Sequence, residues 1–139
     1  MDNCIFRRLE LNDYYKGFFE LLNELTPVGE YNYELFVKYF NGIDNTYVIE
    51  KNNLIIATGK ILIEQKLHNN FSKMGHIEDI VVKREYRKLG FGKYLIKKLV
   101  KIGNENNCYK IVLNCNDINK KFYLDCDFIC KGIEMCIYL

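Results

Sequence analysis

Ile80-Val81-Val82-Lys83-Arg84-Glu85-Tyr86-Arg87-Lys88-Leu89-Gly90-Phe91-Gly92 decides the fold class. Three β-branched residues predict the end of a strand. Glycines at 90 and 92 predict a tight loop, and Phe91, Leu95, Leu99 and Ile102 then recur on one face of a helix. A helix start offers unpaired N–H groups and the positive end of the peptide dipole, and both suit an anionic phosphate. Gly90 and Gly92 remove side chains that would hold a diphosphate away from the backbone. Eight cations and one anion between residues 83 and 101 make the stretch basic within a chain whose net charge is only +2. A glycine pair also suits a plain turn into a solvated basic helix. Two other phosphate loops do not fit, because the third glycine and early strand-first βαβ unit of a dinucleotide fold are missing and no Gly-Lys-Ser/Thr ends the loop.

Outward from this loop the chain reads as one domain, 1–139, without linker, repeat or low-complexity block. Residues 5–9 predict a strand. Asn12 or Asp13 then caps a helix carrying Tyr14, Phe18, Leu21, Leu22 and Leu25, which stops before Thr26-Pro27. A second short helix holds Leu35, Phe36, Tyr39 and Phe40 and ends near Gly42. Strands at 46–50 and 54–64 flank the turn Lys51-Asn52-Asn53, and a third covers 74–82. The helix that opens near Gly90 ends at Gly103-Asn104. A strand at 109–114, a short helix at about 117–125 and a last strand at 128–138 complete the order β-α-α-β-β-β-α-β-α-β. Hairpins first and crossovers later imply an α/β (α+β) domain, a mixed and mostly antiparallel sheet with helices on both faces.

Composition narrows the class further. With 139 residues, 49% apolar and 27% charged, the chain is long enough to bury a core without staples. Twenty cations against 18 anions give no global pull towards nucleic acid, and no apolar run is long enough to cross a membrane. The opening Met1-Asp2-Asn3-Cys4 lacks the apolar segment of a signal peptide. Cys4, Cys108, Cys115, Cys126, Cys130 and Cys136 show no C-x-x-C spacing, and His68 and His76 lie far upstream. Free thiols in a reducing cytoplasm are expected, and no metal.

Arg87-x-x-Gly90-x-Gly92 at a strand–helix junction resembles the acetyl-CoA pyrophosphate loop of the GNAT acetyltransferases. Four more stretches bring the resemblance to the glucosamine-6-phosphate N-acetyltransferase family within them. These are Leu25-Thr26-x-Val28-Gly29, Gly75-His76-Ile77-Glu78-Asp79-Ile80, Cys108-Tyr109-Lys110-Ile111 through Asn119-x-x-Phe122-Tyr123, and Gly132-x-Glu134-Met135. The similarity covers nearly the whole chain and is strongest from 75 to 136. It implies a GNAT fold and acetyl transfer from acetyl-CoA to the 2-amine of glucosamine 6-phosphate, by direct attack in a ternary complex that feeds nucleotide-sugar synthesis. It also implies a cytoplasmic homodimer without nucleic-acid or membrane partners.

The resemblance assigns residues as well. Backbone groups of Ile80, Val81 and Val82 pair with the pantetheine arm, and Arg87, Lys88, Leu89, Gly90, Phe91 and Gly92 hold the diphosphate. Asn114, Cys115, Asn116, Asn119, Phe122 and Tyr123 complete the donor site, with Tyr123 as the acid at the departing thiolate. Thr26, Lys66, His68, Glu78, Asp79, Lys110 and Tyr138 fall at positions that bind the sugar phosphate. Making an amide from a thioester needs a neutral amine, a stabilised carbonyl oxygen and a stabilised thiolate. Glu78 and Asp79 are adjacent on a strand and so point to opposite faces, and His76, on the face of Glu78, reads as structural.

Three departures from the family stand out. Asn114 replaces an aspartate, which leaves the base open between water held at the Leu113 carbonyl and the carboxylates Glu78 or Asp79. Tyr138 replaces an arginine that meets the sugar phosphate, and Asp127 stands where a glycine is common, in a turn that Asp tolerates. Two other functions remain: acetyl transfer to a protein or another small amine, and a non-catalytic module whose basic helix, 93–101, meets nucleic acid or an acidic partner.

Overall fold

Asn52 and Asn53, at φ 50 and 60, close a two-residue hairpin whose left-handed turn matches the twist of the strands it joins. The computed structural model describes residues 3–43 and 45–139. Met1 and Asp2, part of the stretch read against a signal peptide, lie outside them. The hairpin strands are β2 (Thr46–Lys51) and β3 (Leu54–Gln65). β1 (Cys4–Arg8) pairs antiparallel with β2, and β4 (Lys73–Val82) pairs antiparallel with β3. β5 (Cys108–Val112) then joins β4 in parallel, so the sheet order is β1-β2-β3-β4-β5.

Strand alternation divides the core into two layers. Val48, Ile55 and Val81 pack with Leu9, Phe18, Leu21 and Phe36 under α1 (Phe18–Asn23) and α2 (Tyr33–Phe40). Ile49, Ile56, Ile61 and Ile77 pack on the other face with Phe91, Leu95, Ile96 and Leu99 of α3 (Phe91–Glu105). α4 (Asp117–Leu124) follows β5 and lays Phe122 and Tyr123 on the edge of that second layer. Helices on both faces of a mixed, mostly antiparallel sheet are therefore observed.

Three sequence expectations need correction. The first helix is split: a 3-10 turn (Leu11–Lys16) is capped at Glu10, not at Asn12 or Asp13, and Gly17 at φ 80 turns the chain before α1. Asp13 is buried instead, accepting from Glu10 N at 2.8 Å and from Arg7 Nη2 at 2.6 Å. Gly103 does not end α3, which continues to Glu105. It is buried where a Cβ would overlap Ile111 of β5, and Asn107 at φ 60 makes the exit. The last strand does not form. Residues 128–139 make no strand, and Ile129, Ile133, Met135 and Ile137 are exposed although their apolar pattern reads as strand. A strand needs a paired neighbour, and the outer edge of β5 has none among the described residues.

Candidate active site

β5 pairs with β4 only from Lys73 to His76, so residues 77–82 of β4 keep β3 on one edge and no strand on the other. That open edge leads into the loop read first from the sequence. A 3-10 turn (Arg84–Tyr86) bends the chain, and Lys88 and Gly90 take left-handed φ values of 64 and 91. Gly90 caps α3 without a side chain. The first bond of the helix runs from Tyr94 N to Gly90 O at 3.0 Å, leaving the N–H groups of Phe91, Gly92 and Lys93 without an acceptor among the described residues. An extended chain ending in a diphosphate fits this arrangement, with its amides along the strand edge and its phosphates at the helix start.

Gly92 also meets α4. A Cβ there would lie 3.1 Å from Cζ of Phe122, so the missing side chain makes room for that ring. Phe122 stacks edge-on with Tyr123, centroids 5.0 Å apart, and Tyr123 meets Phe128 in the same way at 6.0 Å. Tyr123 is half-buried, and burial pushes its phenol up to about 12, with Cys115 and Cys126 adding to the effect. Asn114 and Cys115 lie exposed just beyond β5, Asn116 caps α4 without a side-chain bond, and Asn119 is exposed on its first turn. A groove of about 830 Å³ runs along β5 beneath residues 126–134 and reaches this site through Leu113, Asn114, Cys115 and Tyr123.

A bulge interrupts β4 at the two carboxylates. Lys60 pairs with Glu78 and Thr58 with Val81, so Asp79 and Ile80 together oppose Gly59. Asp79 has φ 55, and Ile77 and Ile80, three residues apart, pack in the same layer. The alternation that separates Glu78 from Asp79 is therefore broken between them. Asp79 pairs with Lys60 Nζ at 3.0 Å and lines an apolar cavity of about 310 Å³ under α1 and α2. The Glu78 side chain is exposed and makes no hydrogen bond or ion pair among the described residues. Lys60 was not singled out in the sequence, although the strand register would have placed it opposite this pair.

The residues expected to hold the sugar phosphate fall into two groups. Thr26 follows α1, beside Glu24, whose Oε2 accepts from Arg87 Nη2 at 2.9 Å. Lys66, His68 and Lys110 gather where β4 begins. Lys66 and His76 pair with Glu64, whose carboxyl they hold below its usual range, and His68 and Lys110 lie against Tyr109 at 6.0 and 5.4 Å. The length of β4, roughly 30 Å at strand rise, separates the two groups. Tyr138 is 94% exposed and reaches neither. His76 Nε2 lies 2.7 Å from Glu64 Oε2. Asp127 takes φ 68, the turn conformation that Asp tolerates.

Comparison with known proteins gives a consistent picture. A family model described as acetyltransferase (GNAT) family matches residues 9–128. The chain is 42% identical to glucosamine 6-phosphate N-acetyltransferase 1 of Dictyostelium discoideum, over 99% of this chain and 92% of that protein. It is 39% identical to the glucosamine 6-phosphate N-acetyltransferase of Candida albicans, over 94% and 92%. The crystal structure of glucosamine-6-phosphate N-acetyltransferase from Arabidopsis thaliana superposes with a TM-score of 0.93 at 38% identity, covering 99% of each chain.

Proposed function

The chain belongs to the glucosamine 6-phosphate N-acetyltransferases of the GNAT family, and from that premise we propose that it acetylates the 2-amine of glucosamine 6-phosphate with acetyl-CoA as donor substrate. The observation that carries this reading is the open edge of β4 running into an uncapped start of α3. The amine nitrogen forms a C–N bond to the acetyl carbon, the C–S bond breaks, the ammonium proton passes to water or a base, and sulfur leaves as thiolate. Residues 80–82 align the donor along the strand edge, and Arg87, Lys88 and the amides from Gly90 to Gly92 neutralise its diphosphate.

Tyr123 faces the leaving sulfur in this reading. A phenol at about 12 is a much weaker acid than a thiol near 8.5, so it stabilises the thiolate with a hydrogen bond and keeps its proton. Asn114 cannot accept a proton. Of the two carboxylates, Asp79 is engaged by Lys60, which makes Glu78 the available base through water.

We infer a homodimer from the spread of the acceptor groups. Thr26 stands a β4 length, roughly 30 Å, from Lys66, His68 and Lys110. A sugar phosphate held by both sets would draw the second set from another copy of the chain. The apolar, unpaired segment 129–139 and the open edge of β5 supply matching surfaces for that second copy, and Tyr138 travels with the segment. The free thiols of Cys108, Cys115, Cys126, Cys130 and Cys136 favour a cytoplasmic setting.

Thiol release from acetyl-CoA over a panel of amines tests the assignment. Glucosamine 6-phosphate is expected to be the best acceptor, with converging lines in two-substrate kinetics. Parallel lines would reject direct transfer, and preference for a peptide or an apolar amine would reject the sugar. The apolar cavity beside Asp79 makes apolar amines the informative competitors.

A further inference from the structure

Glu24 caps the C-terminal end of α1, where the peptide dipole is negative and a carboxylate gains nothing from the helix. Its side chain is nonetheless only 19% exposed. Oε2 accepts twice from a segment some sixty positions away, from Arg84 N at 2.8 Å and from Arg87 Nη2 at 2.9 Å. Lys83 Nζ lies 3.9 Å from Oε1. Arg87 also donates from Nε to Val82 O at 2.8 Å, so its guanidinium joins the end of β4 to α1 through a single carboxylate. One residue earlier, Asn23 Oδ1 accepts from Val28 N at 2.9 Å and fixes the turn that carries Thr26. The exit of α1 is thus tied at one point to itself and at the next to the donor loop.

We propose that Glu24 is a positioning residue that couples the donor loop to the acceptor segment 25–29. Ordering of residues 83–90 by a diphosphate at the start of α3 fixes the Arg84 N–H and the Arg87 guanidinium, the two groups on which Glu24 docks. Fixing Glu24 in turn holds Thr26 and Val28 in place, so donor binding prepares the acceptor side without a direct contact between the two ligands. An exposed ion pair is ordinarily weak, but here a backbone N–H and a guanidinium share one partly buried oxygen, the stronger charge-assisted case. The inference rests on the acetyl-transfer reading above.

Calorimetric titration with CoA and with glucosamine 6-phosphate, each alone and with the other saturating, tests it. In the wild type each ligand is expected to tighten the other about fivefold or more, by the same factor in both orders. Glu24→Ala is expected to bring that factor to about one while CoA still binds alone, and Glu24→Gln, which keeps an acceptor oxygen without the charge, to fall between. In kinetics Glu24→Gln raises KM for the sugar and leaves kcat, a split that a general loss of stability would not produce. Hydrogen exchange on the wild type gives an answer even if Glu24→Ala does not fold: CoA alone must slow the amides of residues 25–29. Independent binding in the wild type, an unchanged factor in the variants, or no slowing of those amides overturns the proposal. Failure of the wild type to bind either ligand would instead remove the acetyl-transfer reading beneath it.

Discussion

Gly92 and Phe122 share one space: a side chain on the first turn of α3 would strike the ring that seats α4. The two glycines of the loop therefore have separate duties. Gly90→Val must force a β-branched residue to φ 91, at a cost of about 2 kcal/mol, and distorts the phosphate end of the site. KM for acetyl-CoA is expected to rise at least tenfold, or roughly what that energy implies. Gly92→Val displaces Phe122 and with it Tyr123, so its main loss is in kcat. Separate measurement of the two constants checks the division, and a reversed pattern would contradict it.

Tyr123→Phe removes one hydrogen bond to a developing anion, worth about 1.5–3 kcal/mol, and is expected to lower kcat by roughly 10- to 150-fold with acetyl-CoA binding retained. Because burial holds the phenol at about 12, the wild-type kcat should not fall near pH 10, where an ordinary tyrosine ionises. A decline centred at about 10 would mean that the hydroxyl is solvated and misassigned.

Lys110 lies on β5 and Tyr123 on α4, and Lys110→Ala and Tyr123→Phe are each expected to lower kcat about tenfold or more. If two copies share each acceptor site, refolding the variants together restores about a quarter of wild-type activity, because half the dimers are mixed and each mixed dimer has one intact site. Sedimentation should give twice the 16.6 kDa chain mass, and deletion of residues 129–139 should lower it. Unrestored activity in the mixture would mean that Lys110 and Tyr123 act within one copy and would reject the shared site.

Arg7 donates to Asp13 and Glu50, and Lys16 adds a second cation, closing β1 and the first 3-10 turn against β2. Arg7, foremost, and Lys16 hold the Glu50 carboxyl below its usual 4.5, so the folded state binds fewer protons there than the unfolded chain. The stability this supplies is present above about pH 4.5 and is lost as pH falls through the lowered folded value. Denaturant midpoints from about pH 5 to about pH 3 should fall less steeply in Glu50→Gln than in the wild type. Arg7→Ala, which strands the fully buried Asp13, should cost about 3 kcal/mol.

Much of this architecture is legible from local pattern. The Asn52-Asn53 hairpin, the α3 stripe from Phe91 to Ile102 and the glycine loop all depend on residues a few positions apart, and all stand where the sequence places them. Gly17 and Gly103 show the limit. Gly17 falls inside the predicted first helix and Gly103 at the predicted end of the third, yet the first interrupts its helix and the second lies inside one against Ile111. Only the neighbour across space distinguishes a cap from a close approach.

The sequence by itself determined that this chain has a strand–glycine loop–helix unit with the order of elements around it, because backbone propensity and hydrophobic period act between near neighbours. Tertiary structure alone decided the bulge at Asp79, the ring over Gly92, the bond from Glu24 to Arg87 and the unpaired state of residues 129–139. Each of these depends on which surfaces meet after some tens of residues have folded. A strand pattern at 128–138 is satisfied only by an edge that pairs with it, and the chain's own sheet leaves that pairing unmade.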